Sequence, residues 1–198
     1  MAVHRQLWSL AEEAIDEYLE AVKQCLDFRK PDGGCLGYPA TRLLFCILDA
    51  FGAYLSGDDV IIEGTRQKIS RTHPFRVLNH SVLAFGLTHG QIRTLEDSCR
   101  NALAHEGLIR PGISLISQRA GPVFAFSKRG VTVAVRELYI RVADSWTTFD
   151  KRRIKSAIAN KYSTRTHPLP VNVQISSSLF SSVSSASYVT SASGSGKP

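Results

Sequence analysis

The stretch Cys99-Arg100-Asn101-Ala102-Leu103-Ala104-His105-Glu106-Gly107 sets four polar side chains on a run of small and apolar residues. It is read here as the end of a helix. Thr88 or Gly90 offers the N-terminal cap. Ile92, Leu95, Cys99, Ala102 and Leu103 recur at helical spacing, which predicts a helix over roughly 90–105 with that face buried. Gly107 suits the left-handed position just past a helix end. On an α-helix Asn101 and His105 are four apart and share a face. Arg100 and His105 are five apart, so they diverge by about 140° at 3.6 residues per turn. One unbroken α-helix would therefore not aim both at one phosphate. Either Arg100 wraps round the helix edge, or a twofold dimer brings one chain's Arg100 beside its partner's His105.

Working outward, residues 5–28 carry Leu7, Leu10, Ala11, Ala14, Ile15, Tyr18, Leu19, Val22 and Leu26 at helical spacing, with acids mostly on other faces. Pro31-Asp32-Gly33-Gly34 breaks that helix. A second helix is expected from Pro39 to Leu55. Its run Leu43 to Phe51 is apolar nearly all round, which marks it as central. Asp49 is the exception, and an isolated carboxylate there is costly unless paired or functional. Arg42 or an arginine of the motif helix could pair it. Residues 60–75 read as mixed and basic, 75–86 as a short helix. Residues 112–118 and 122–126 are short and β-leaning around Arg119-Ala120-Gly121, which predicts a small hairpin inserted between helices. A last long helix is expected from 130 to 161, burying Val131, Val135, Leu138, Val142, Trp146, Phe149, Ile154 and Ile158. The fold class expected is therefore all-α, with one small β-hairpin at about 112–126.

Charge divides the chain. Residues 151–198 contain seven basic residues and no acid, so they account for the whole net charge of +7 and leave 1–150 neutral. Eleven serines crowd 176–198, too polar a tract to offset its ordering entropy by burial. The expected organisation is a helical domain over 1–162 and a basic, Ser-rich, disordered tail over 163–198. The tail could attract an anionic partner or simply keep the chain soluble. Cys25, Cys35, Cys46 and Cys99 form no C-x-x-C pair and no zinc-finger spacing. Cys46 and Cys99 read as small core residues. The N-terminus leads into an acidic amphipathic stretch rather than a signal peptide. No apolar run reaches the roughly 20 residues that span a bilayer. No membrane association and a reducing, cytoplasmic setting are expected.

Gly-rich phosphate loops, a nucleophile elbow and paired catalytic acids are absent. A helix C-terminus favours a charged imidazolium by roughly 0.3–1 kcal/mol when exposed. That makes His105 a titratable proton carrier near neutral pH. Arg100 supplies a permanent charge and a fork of donors matched to a phosphate. Asn101 can hold the imidazole or a phosphate oxygen. Such parts suffice for phosphodiester cleavage. They equally describe a solvated cap and a surface histidine, and spacing alone favours that reading. His80 and His89 are read as surface or cap residues, and Trp146 with Phe149 as core or interface.

Arg100-Asn101-x-x-x-His105 resembles the Arg-x(4–6)-His signature of HEPN domains, in which a polar residue, often Asn, follows the arginine. The small residues and trailing glycine of 99–107 fit its usual local form. The resemblance covers about 5–160, with some nine residues specific. It implies a four- or five-helix bundle, commonly dimeric. Many members are metal-independent endoribonucleases of toxin–antitoxin or defence systems, with no cofactor and a composite Arg/His site across a homodimer. Carried onto this chain, Arg100 and His105 are the catalytic pair and Asn101 the polar companion. Asp49 corresponds to an acid that some members place on an earlier helix. RNA and an antitoxin or regulatory protein are the partners this implies, and no metal is expected at the site. Arg66, Lys68 and Arg71 could guide RNA through phosphate contacts, or form only a solvated loop. The inserted hairpin departs from a minimal bundle. Other members are non-catalytic binding or regulatory modules acting through a partner protein, and the motif fits both.

Overall fold

The computed structural model of the chain describes residues 6–31, 33–106, 110–117 and 121–162, the side chains of 102–106 and 162 excepted. All described elements belong to one unit, Met1–Thr164. The expected tail, 163–198, lies outside the described residues, as does Gly107.

Helix α1 spans Leu7–Asp27 and buries Ile15, Leu19, Val22 and Leu26, a 4-3-4 spacing that lines one face. The chain turns back through Phe28–Leu36 into α2, Gly37–Tyr54. Ala40, Leu44, Phe45, Ile47, Leu48 and Phe51 of α2 are buried, so it forms the centre of the core. A short 3₁₀ helix, Pro74–Asn79, packs on it, with the Phe45 and Phe75 rings 5.6 Å apart. From the other side come α4, Val135–Thr148, and α5, Arg152–Tyr162. Phe51 stacks on Trp146 at 5.8 Å and on Phe149 at 5.0 Å. Trp146 and Phe149 are therefore core residues.

The chain is mixed α/β, not all-α as expected: two sheets accompany the helices. Strands β1 (Asp59–Ile62) and β2 (Thr65–Lys68) form an antiparallel hairpin where only a mixed, basic stretch was expected. Val60 and Ile62 point into the core and Ile61 out, the period-2 pattern of a half-buried strand. Glu63 and Gly64 close the turn, both at positive φ (51° and 77°), the condition for a two-residue turn matched to strand twist. The helix expected over 75–86 is only the 3₁₀ turn, because Asn79 then ties the chain down. Its side chain donates to Leu87 O at 2.6 Å and accepts from Leu87 N at 2.7 Å.

The second sheet corrects two further expectations. β3 (Ile113–Ile116) and β4 (Phe124–Ser127) do not pair with each other. Both pair with β5 (Gly130–Ala134), which lies between them, parallel to β3 and antiparallel to β4. The predicted long helix thus begins as a strand. Val131-Thr132-Val133 is β-branched throughout, and as a strand it buries Val131 and Val133 on one face. The same helix breaks again at Phe149, which is extended (ψ 131°). Asp150 accepts from Arg152 N at 3.1 Å at the start of α5.

The motif helix starts as α3, His89–Thr94, capped by Thr88. Thr88 Oγ1 accepts from Gln91 N at 3.2 Å, and Gln91 Oε1 accepts from Thr88 N at 2.9 Å, a reciprocal capping box. Glu63 Oε2 accepts from His89 N at 3.2 Å, setting a carboxylate at the same helix start. Thr88→Ala removes the hydroxyl acceptor and should lower stability by about 1 kcal/mol, read as a shifted urea midpoint at unchanged slope. Among the described residues no helix is long and apolar enough to cross a membrane.

Candidate functional site

Beyond Thr94 the helix continues as a π-wound segment, Leu95–Glu106. Its backbone is closed by i→i+5 bonds instead of i→i+4. Residues five apart therefore lie about one turn apart along the backbone, and the divergence computed for an α-helix does not apply between 100 and 105. Leu95 and Cys99 are fully buried and hold this segment against the core.

Arg100 points across to α2. Its Nε donates to Asp49 Oδ2 at 2.7 Å, and its Nη1 donates to Asn101 Oδ1 at 2.6 Å. Asn101 Nδ2 in turn lies 3.5 Å from Asp97 Oδ1, one helical turn back. The Arg100 and Asp49 side chains are 32% and 27% exposed, so the pair sits at the protein surface with one edge open to solvent. Asp49 Oδ1 is buried and has no hydrogen-bond partner among the described residues. Arg42 is not the partner of Asp49; the motif arginine is.

Glu96 was not anticipated. Burial raises its carboxyl above the ordinary 4.5, an effect partly offset by His73 and Arg100 and reinforced by Asp97 and Asp49. The folded chain therefore keeps this proton at a pH where the unfolded chain has released it. Stability is lost as pH rises from about 4.5 through the folded value. Glu96→Gln cannot titrate. Its urea midpoint relative to wild type should improve between pH 4 and pH 7, and a constant offset across that range would contradict the assignment.

The expected RNA-guiding residues are not joined to this cluster by any described contact. Arg66 is exposed on β2 and paired with Asp59 across the hairpin. Lys68 Nζ donates to Gly57 O at 3.3 Å. Arg71 lines a different cleft, with Leu7, Tyr54 and Ile158. The structure thus brings together Asp49, Arg100 and Asn101 and adds Asp97 and Glu96. The backbone of His105 lies in the same π-wound segment, and its side chain is outside the described residues. The i,i+4 spacing of Asp97 and Asn101 was a usable sequence signal. Nothing in the sequence marks Glu96 as half-buried.

Cys46 is exposed on α2, contrary to its expected core position, and Cys99 is buried as expected. The Cys46 thiol is raised chiefly by partial desolvation against its neighbours and then by Asp49, and lowered by Arg42 and Arg100. It is thus an electrostatic neighbour of the Arg100–Asp49 pair. Among the described residues no group of three or more His, Cys, Asp or Glu is placed to hold a metal ion. No known family model, curated protein or solved structure matches the chain.

Proposed function

We propose that the chain is an endoribonuclease of the HEPN type, cleaving by attack of a ribose 2′-hydroxyl on the adjacent phosphate. One observation supports this above the others. The segment carrying the motif is π-wound, which sets the backbone of residues 100 and 105 on successive turns, while Asp49 and Asn101 hold the Arg100 fork in place. The Arg100 side chain is partly open to solvent, so its guanidinium can offer an N–H to a phosphate oxygen. In this reading Arg100 offsets the charge growing on the phosphate, and His105 moves the proton of the attacking or leaving oxygen. The products are a 2′,3′-cyclic phosphate and a 5′-hydroxyl, and the residues named need no metal. The reading includes a cytoplasmic homodimer and a restraining antitoxin or regulatory protein.

A second reading is a non-catalytic HEPN-like module that acts through another protein. The existing engagement of the guanidinium by Asp49 and Asn101 favours it. The two separate on one assay. Purified chain is incubated with single-stranded RNA in EDTA, and the new ends are identified by mass spectrometry. Cyclic-phosphate ends that vanish in Arg100→Ala and His105→Ala carry the nuclease reading. Intact RNA, or equal cleavage by all three proteins, removes it.

A further inference from the structure

Two thiols outside this site face each other where α1 meets α2. Cys25 lies in the last turns of α1, and Cys35 stands two residues before α2. Leu36 N donates to Cys25 O at 3.0 Å. Two bonded steps separate Cα35 from that nitrogen, and two separate Cα25 from that oxygen. The Cα atoms of 25 and 35 therefore stand no more than about 7.8 Å apart, a limit reached only if all three vectors were collinear. The trans peptide sets Cα35 on the same side as the Leu36 N–H, so the path bends nearly at a right angle at that nitrogen and brings the two Cα atoms into the roughly 4.4–6.8 Å range that a disulfide spans. Both cysteines are free and half-buried. The Cys25 thiol is raised by burial and then by Cys35, so the two sulfurs are electrostatic neighbours. The connection between them is already folded back on itself, with Lys30 N donating to Gly34 O at 2.8 Å and Gly33 N to Lys30 O at 2.9 Å. Closing a bond would thus ask little of the backbone.

We propose that Cys25 and Cys35 form a redox-active dithiol that closes to an intrachain disulfide and staples α1 to α2. The oxidant is a low-molecular-weight disulfide of the glutathione class. The Cys35 thiol gives up its proton, and its sulfur attacks one sulfur of the oxidant. The oxidant's S–S bond breaks, and the departing thiolate takes a proton. Cys25, deprotonated in turn, attacks the Cys35 sulfur of the mixed disulfide and expels the second small thiol. Two protein thiols lose two electrons and two protons, and one small disulfide becomes two thiols. Cys99 does not compete, because burial pushes its thiol up to about 12. Cys46 is exposed on α2, without a facing thiol among the described residues, and keeps its mixed disulfide.

The test uses the full wild-type chain, incubated with oxidised glutathione, alkylated and digested with trypsin. Peptides 24–29 and 30–42, which carry Cys25 and Cys35, should appear as one linked species two hydrogens lighter than their sum, from protein that stays monomer-sized on a non-reducing gel. Cys35→Ser should leave Cys25 as a lasting glutathione adduct, and Cys25→Ser the converse. Oxidation should raise the wild-type Tm by about 5–10 °C and leave either serine variant unmoved. Separate glutathione adducts on both cysteines of the wild type, two unreacted thiols, or a link between chains would overturn the proposal. None of these readouts depends on nuclease activity.

Discussion

Arg100→Ala should lower RNA cleavage by about 10²–10³-fold, the usual loss when a donor that stabilises transition-state charge is removed. His105→Ala should cost about 10²–10⁴-fold, the range for a proton-transferring group. The two losses should not add, since each leaves the other residue without its counterpart in the same step. Stability must be followed alongside. Arg100 is the partner of Asp49 Oδ2, and Asp49 Oδ1 is already buried without one among the described residues. Truncating the arginine leaves that carboxylate unpaired, which destabilises the chain independently of catalysis. Arg100→Ala/Asp49→Asn removes the charge together with its partner and should recover most of the lost Tm. Activity should stay low in that double variant, because the phosphate contact is still missing. Recovery of activity together with Tm would show that the arginine is structural. The chain count of the site is also decidable. Mixing Arg100→Ala with His105→Ala protein, after dissociation and reassociation, should return about a quarter of wild-type activity if one chain's arginine serves its partner's histidine, since half of the random dimers are then mixed and each holds one intact site. A site within one chain returns nothing. The π-wound backbone supports the second arrangement as readily as the first.

The helices that carry the core were legible because their sequences repeat at a helical period. Ile15, Leu19, Val22 and Leu26 have one reading, and so does the apolar run from Leu43 to Phe51. The strands were not, for three separate physical reasons. β1 and β2 span four residues each, too few for a period to declare itself. Their turn uses Glu63 at φ 51°, a residue type that seldom marks such a position. Val131 and Val133 of β5 and Val135, the first residue of α4, together fit a strand and also prolong the pattern of the helix, so the boundary at Ala134–Val135 leaves no mark. Partner choice in the second sheet is a tertiary matter. β3 and β4 look like a hairpin locally, yet each finds a better-buried neighbour in β5. At the candidate site, Asp49 stood out as a carboxylate in an apolar helix, and two arginines were available to it. Only packing of α2 against the motif helix chooses Arg100. The π winding was invisible, because hydrophobic spacing in 95–106 resembles that of an ordinary helix.

Gly130→Ala should be among the most damaging single-atom additions to this chain, costing about 2–6 kcal/mol. Two effects combine at the same carbon. Gly130 holds φ at 134°, a region that side chains with a Cβ rarely enter, at a cost of about 1–3 kcal/mol. A Cβ there would also lie 1.7 Å from Gly112 O and 2.5 Å from Gly112 C. These are backbone atoms, so no rotamer change relieves the overlap, and β3 must move away from β5. That movement strains Val131 N donating to Gly112 O at 2.8 Å, the contact that opens their parallel pairing. Overpacking of this kind adds roughly another 1–3 kcal/mol. Gly57→Ala separates the two effects. Gly57 also has a positive φ, 101°, but a Cβ there meets nothing within 4 Å. It should show the backbone term alone, about 1–3 kcal/mol. Thermal melts of the two variants should therefore differ, with Tm falling by about 10 °C or more in Gly130→Ala and by clearly less in Gly57→Ala. Equal losses would mean that β3 gives way freely and that the Gly112–Gly130 approach contributes little. A larger loss at Gly130 would place the rigidity of the second sheet at this crossing of two glycines, because a parallel strand with no tight turn to hold it depends on the first contact of its register.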